Sequence, residues 1–79
     1  MNREEVKKKV IGLVFDKSIL EDEPITEESN LRDLGLDSLD CIELSIQLES
    51  EYEIKITEEE TGAMKTVADA IDLVMKHRQ

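Results

Sequence analysis

The sequence predicts an all-α fold, a small helical bundle of three longer helices and one short one, and three observations carry that expectation. Apolar residues recur at three- and four-residue spacing in three separate segments. Four polar residues stand where helix caps belong, each with an acidic residue three positions on: Asn2 with Glu5, Asp37 with Asp40, Thr57 with Glu60 and Thr66 with Asp69. The one alternating stretch, E-I-K-I-T at 53–57, has no second strand to pair with and reads as an extended linker. At 79 residues the chain makes a single domain, 1–79, and with 3% aromatic residues its modest core must be almost wholly aliphatic.

The first helix follows Asn2, with Val6, Val10, Leu13 and Val14 on its apolar side; Gly12 lowers its propensity, so it is expected to fray soon after Phe15. A long stretch from Ser18 to Leu36 comes next and holds the only proline, Pro24. Ile19, Leu20, Ile25, Leu31 and Leu34 are its expected anchors, with one helical turn over Asn30–Leu34 ending at Gly35. Asp37 caps the second helix and Asp40 takes its third position, where a carboxylate suits the positive end of the helix dipole. Along that helix Leu39, Ile42 and Ile46 form an apolar line that Cys41, Leu44, Leu48 and Tyr52 widen, with Asp40, Glu43, Gln47 and Glu51 opposite. Thr57 and Glu60 box a short helix that Gly62 is expected to stop. The last helix opens at Thr66, with Val67, Ala70, Ile71 and Val74 at i, i+3, i+4 and i+7.

Charge narrows the function. The net charge is −10. Residues 21–60 hold fifteen acids against two bases, Arg32 and Lys55, so the middle stands at −13 while both ends are close to neutral. Nucleic acid and anionic membrane are excluded as partners by Coulomb repulsion. A solvated surface kept for solubility and a docking face for basic partners explain the acidic belt equally well. No apolar run approaches the ~18 residues of a membrane span, and no leader-like segment opens the chain, so a cytoplasmic location is expected.

Catalytic patterns are missing. The one histidine, His77, stands near the C-terminus and reads as a frayed surface residue; no G-x-S-x-G elbow and no EF-hand spacing occurs. Lone Cys41 rules out a disulfide framework or thiolate cluster and reads as a small packing residue. The chain reads as a non-enzyme without a metal site. Ser38 stands out nonetheless. With Asp37 already the cap, Ser38 falls at the first helical position, its hydroxyl free and facing solvent. The unpaired amides of a first turn, with the dipole, stabilise an attached phosphate there. The serine suits the role of substrate rather than catalyst.

The stretch D-S-L-D-C-I-E-L, Asp37 to Leu44, resembles the prosthetic-group motif of acyl carrier proteins, in which D-S-L opens the second helix. The likeness extends over nearly the whole chain: V-K-K-K-V-I-G resembles the family's first helix, L-E-S-E-Y-E-I-K-I-T-E-E-E the passage into its third, and T-V-A-D-A-I-D-L-V its fourth. The resemblance implies a 4′-phosphopantetheine on Ser38 whose thiol carries acyl groups as thioesters between enzymes of fatty-acid or related biosynthesis. It also implies a pliable cavity between the helices that shelters the acyl chain. The implied partners are a phosphopantetheinyl transferase and acyl-processing enzymes with basic docking patches, meeting a monomer. All of them must approach Ser38. The expected contact face is therefore Asp37, Leu39, Asp40 and Glu43, with Ile46, Glu49 and Glu51 further along the helix; Ile46 resembles an apolar recognition point. Asn30 departs from the family's usual apolar anchor, Thr57 from a frequent proline, and Gly62 and Lys65 from the commonest choices. These departures leave open a specialised carrier for a polyketide-like, aminoacyl or lipid-modifying pathway. An acidic helical binding module that is never modified is the alternative of another class.

Overall fold

The structure, a computed structural model, describes residues 2–20, 22 and 24–78. Among these lie four helices: α1 (Arg3–Lys17), α2 (Ser38–Tyr52), α3 (Glu58–Ala63) and α4 (Val67–His77). All four expected caps form. The Asn2 side chain accepts from the Glu5 amide, and Asp37–Asp40, Thr57–Glu60 and Thr66–Asp69 are reciprocal capping boxes. Each box closes two otherwise orphaned backbone donors and the Asn2 cap one, which is why short, charged helices hold in so small a domain.

α1 ends at Lys17, soon after Phe15 as expected, where the Ser18 amide bonds back to the carbonyls of Val14 and Phe15 and closes the last turn; one other helix end differs from expectation. Gly62 does not stop α3. It lies inside the helix, which ends at Ala63 when Met64 turns extended and drops into the core. Of the linker read over 53–57, Glu53 instead caps α2 in the left-handed region, while 54–57 form no regular element and the amide of Ile56 is held by the Glu49 carboxylate at 2.8 Å.

The core is aliphatic. Val6, Val10 and Val14 of α1 meet Val67, Ala70, Ile71 and Val74 of α4, with Leu44 and Leu48 of α2 between, all fully buried. Phe15 is exposed and Tyr52 only partly buried, so no aromatic ring belongs to the buried core. From the first residue of α1, Arg3 bridges Glu27 of the loop at 2.6 Å and Asp72 in the middle of α4 at 2.7 Å; these two partners hold its guanidinium ionised still more firmly than usual.

The long connection is pinned by backbone bonds as much as by side chains. The amide of Leu31 bonds to Lys65 O, that of Val67 to Ser29 O and that of Ala68 to Glu27 O, so the loop lies along the start of α4. Asn30 is the hinge of this arrangement. Its side chain caps the turn by accepting from the amides of Arg32 and Asp33, so a polar residue serves where an apolar anchor was expected. The turn ends at Gly35, whose φ of +98° strains any residue with a Cβ, and whose open side is covered by Ile19. Leu31, Leu34 and Leu36 are buried, whereas Ile25 is half-buried and Ile19 and Leu20 lie exposed; of the five expected anchors, two carry the load fully.

Candidate functional site

Three buried leucines deliver the chain to α2. Leu31, Leu34 and Leu36 fix the loop, Asp37 caps the helix, and Ser38 emerges as its first residue, exposed, as the sequence reading placed it. Asp37 Oδ1 accepts from the Asp40 amide at 2.9 Å and Asp40 Oδ2 accepts from the Asp37 amide at 3.1 Å, so both carboxylates are turned onto the backbone. The amides of Ser38 and Leu39 find no acceptor among the described residues and point outward with the positive end of the helix.

The hydroxyl of Ser38 is not free. Arg32 Nη2 donates to it at 2.9 Å. Arg32 makes no ion pair among the described residues, although it lies between acidic neighbours in sequence. Its guanidinium therefore brings a largely uncompensated positive charge to a neutral oxygen. The sequence carried a signal for this: Arg32 is one of only two bases in the acidic belt. What the sequence does not show is that the turn over 31–35 folds it back onto position 38.

Beside Ser38 runs a groove between α2 and α3 of about 660 Å³. α2 lines it with Ser38, Cys41, Ile42, Ser45, Ile46 and Glu49, a single stripe down the helix, and Thr61, Gly62 and Met64 form the facing wall. A Cβ added at Gly62 would meet nothing within 4 Å, so that wall stands open. Cys41 is buried, and burial pushes its thiol pKa up, with Arg32 opposing; it packs rather than reacts.

The apolar line Leu39–Ile42–Ile46 needs correction. It does not extend the buried core stripe: at 67%, 47% and 57% exposure Leu39 faces solvent while Ile42 and Ile46 edge the open groove, and Cys41, Leu44, Ser45 and Leu48 turn inward. Ile46 is thus as exposed as a contact residue requires. Asp37 and Glu43 are exposed beside Leu39, and Asp40 is half-covered by its capping bond. Glu49 and Glu51 do not stand free. Glu49 holds the Ile56 amide and Glu51 lies 3.5 Å from Lys9, so both are tied into the fold.

His77 is also corrected. It is not frayed: its Nε2 lies 3.0 Å from Glu60 Oε2, with Lys76 Nζ at 3.0 Å from the same oxygen, joining α4 to α3. The Glu60 carboxyl is held at a pKa of about 2, chiefly by the Thr57 amide and then by Lys76. No group of three or more metal-ligating side chains forms among the described residues, and no helix is long and apolar enough to cross a membrane.

Comparison with known proteins agrees with this layout. A family model described as the phosphopantetheine attachment site matches residues 8–74. The chain is 45% identical over 74 residues to an acyl carrier protein of Porphyromonas gingivalis, covering 92% of this chain and 95% of that one. It is 35% identical over 79 residues to an acyl carrier protein of Lactobacillus acidophilus, covering 99% of both. Its fold is similar to the crystal structure of an acyl carrier protein from Thermotoga maritima, with a TM-score of 0.82 at 32% identity over 98% of this chain and 91% of the other. It is also similar to that of an acyl carrier protein from Enterococcus faecalis, with a TM-score of 0.81 at 31% identity over 98% and 99%.

Proposed function

The chain belongs to the acyl carrier protein family and is a phosphopantetheine-bearing acyl carrier, and we propose that Ser38 is the residue that bears the group. The observation that carries this reading is the convergence on one exposed oxygen of a helix N-terminus with two unpaired amides and the Arg32 guanidinium. A phosphodiester suits that surrounding: amides and guanidinium favour its charge, while Asp37 and Asp40 are held to the backbone by their own capping bonds. When attached, the arm supplies a thiol that holds an acyl group as a thioester. Ser38 contributes the ester oxygen, Arg32 balances the charge beside it, and the α2–α3 groove is the shelter for the acyl chain, with Leu31, Ile42, Ile46, Ile56 and Met64 as the apolar side chains that can repack around a guest.

Partner enzymes dock on the outer side of α2, where exposed Leu39 and Ile46 lie next to Asp37 and Glu43. Apolar contacts supply affinity there and carboxylates speed encounter with basic patches. Glu49 and Glu51 serve packing first and partners second, since each is already engaged. Fatty-acid synthesis is the route and a monomer the working form.

The experiment is mass measurement after incubation with a phosphopantetheinyl transferase and coenzyme A. The wild type gains a single phosphopantetheine and Ser38→Ala gains none. Modification of the alanine variant, or of Ser50 in its place, overturns the assignment.

A further inference from the structure

Half-way down the groove, between Cys41, Ile42 and Met64, a buried hydroxyl meets a partly buried one. Ser45 Oγ lies 2.9 Å from Thr61 Oγ1, joining α2 to α3, and Ser45 is the one polar residue among the buried described side chains, at 5% exposure. It stands seven residues below Ser38 on the same stripe, about 10 Å along the axis at 1.5 Å per residue.

Hydrogen accounting gives the pair a direction. Thr61 Oγ1 also lies 3.1 Å from the carbonyl of Thr57, which can only accept, so the single Thr61 proton goes there. Ser45 must then donate into Thr61 Oγ1, which leaves the Ser45 oxygen with acceptor capacity that no described protein donor fills. A guest bearing an O–H can donate to it. A saturated chain brings nothing and strips the oxygen of water. A ketone, itself an acceptor, must first pull the Ser45 proton away from Thr61.

We propose that Ser45 and Thr61 determine which acyl chains the groove shelters, favouring hydroxylated chains over saturated and oxo chains. This rests on the carrier reading above and adds to it a class of cargo. The pair does more than staple two helices, because a staple needs no free acceptor facing a cavity that begins at Ser38.

The test loads intact protein at Ser38 with hexanoyl, 3-hydroxyhexanoyl, 5-hydroxyhexanoyl or 3-oxohexanoyl arms from the matching coenzyme A thioesters. It follows cleavage by hydroxylamine together with the backbone amide shifts of Ser45 and Thr61, with the unacylated arm as control. In the wild type at least one hydroxyacyl form is cleaved about 2- to 10-fold more slowly than hexanoyl, the ordinary net worth of a hydrogen bond. That same form moves the Ser45 and Thr61 signals beyond the unacylated control. Ser45→Ala abolishes the preference. Thr61→Val frees the Ser45 proton and transfers the advantage to the 3-oxo form, a switch that loss of a mere staple cannot produce. Equal rates for all chains in the wild type overturn the proposal, as does an order that Ser45→Ala and Thr61→Val leave unchanged. Should either variant fail to fold, the wild-type rates and shifts decide alone: no hydroxyl-dependent difference means no selection. Failure to load any arm at Ser38 sinks the carrier reading itself, whereas loading without discrimination sinks only this inference.

Discussion

Replacing Arg32 by glutamine separates the charge beside Ser38 from everything else the loop does. In the unmodified protein Arg32 donates to a neutral, exposed hydroxyl, and water replaces that bond at little cost. Modification of Ser38 places a negative charge next to the same oxygen. Two unit charges about 4 Å apart attract by about 1 kcal/mol in bulk water and about 4 kcal/mol at an effective dielectric constant of 20. Both residues are exposed, which places the pair at the weak end, within the about 0.2–1 kcal/mol of surface ion pairs. The substitution should therefore cost the modified protein about 0.5–1 kcal/mol more than the unmodified one, a difference of about 2–8 °C in Tm for a domain of this size. The assay is thermal unfolding of wild type and Arg32→Gln, each with and without phosphopantetheine, at low and high salt. An equal loss in both forms refutes the reasoning. So does a coupling that high salt leaves untouched, since exposed charges are screened over a Debye length of about 3 Å at 1 M.

Other outcomes follow from the same geometry. Glu53 caps α2 in the left-handed region at φ 55° and puts a negative charge at the helix's negative end, so Glu53→Gly should stabilise by about 1 kcal/mol, read as a shifted urea midpoint at unchanged slope; a loss of stability would count against both arguments. The Glu60 carboxyl, depressed to about 2, favours the fold at pH values above its unfolded value near 4.5, and that contribution drains away as pH falls from there towards 2. The stability gap between wild type and Glu60→Gln, measured by denaturant titration, should hold above about pH 5 and close on acidification; glutamine keeps the capping bond, so the gap reports the Lys76 and His77 contacts, and a gap independent of pH would exclude them. Glu43→Lys should lower the on-rate for a phosphopantetheinyl transferase and flatten its salt dependence, while Glu4→Lys on α1 changes neither; Glu43 is the cleaner probe, because Asp40→Lys also breaks a capping box.

What the sequence disclosed was local chemistry. Capping pairs are read three residues apart, and all four were legible because the partner lies within one turn. The burial of Val6, Val10 and Val14 on α1, and of Val67, Ala70, Ile71 and Val74 on α4, was legible because each set has a single apolar side; that the two sets face each other was not. Contacts between distant segments were not. Ser45 meets Thr61 across sixteen residues and His77 meets Glu60 across seventeen, and nothing in either neighbourhood marks the partner. Arg32 is separated from Ser38 by only six residues, yet its contact depends on the turn that Asn30 caps and Gly35 ends. The place of Ser38, exposed at the start of α2, was therefore legible in the sequence, while the charge beside it awaited the fold.

The orientation of α2 shows why periodicity alone could not decide what faces what. At 100° per residue, Cys41, Leu44, Leu48 and Tyr52 share one side, while Leu39, Ile42 and Ile46 lie about 130° round the helix. Two apolar stripes on one helix give no preference from hydrophobicity alone, and a reading that merges them makes one wide core face. The choice is made outside the helix. Leu34 and Leu36, both buried, fix where the chain enters, and the Asp37–Asp40 box fixes its first turn, so Cys41 and Leu44 arrive over the core. The other stripe stays outside the core, Leu39 in water and Ile42 and Ile46 along the groove edge, forgoing part of the about 1.5–3 kcal/mol that full burial of each large side chain would give. Ser45, a polar residue, is meanwhile taken inside with its hydroxyl bonded across the groove. Stability by itself favours the reverse assignment, serine out and isoleucine in. Under the proposed function, a helix that keeps apolar surface outward and a hydroxyl inward serves two guests, a protein on its outer face and an acyl chain in its groove. Converting Ile46 to serine should then cost the isolated fold little while weakening partner binding, and a variant that loses stability instead would place Ile46 back in the core.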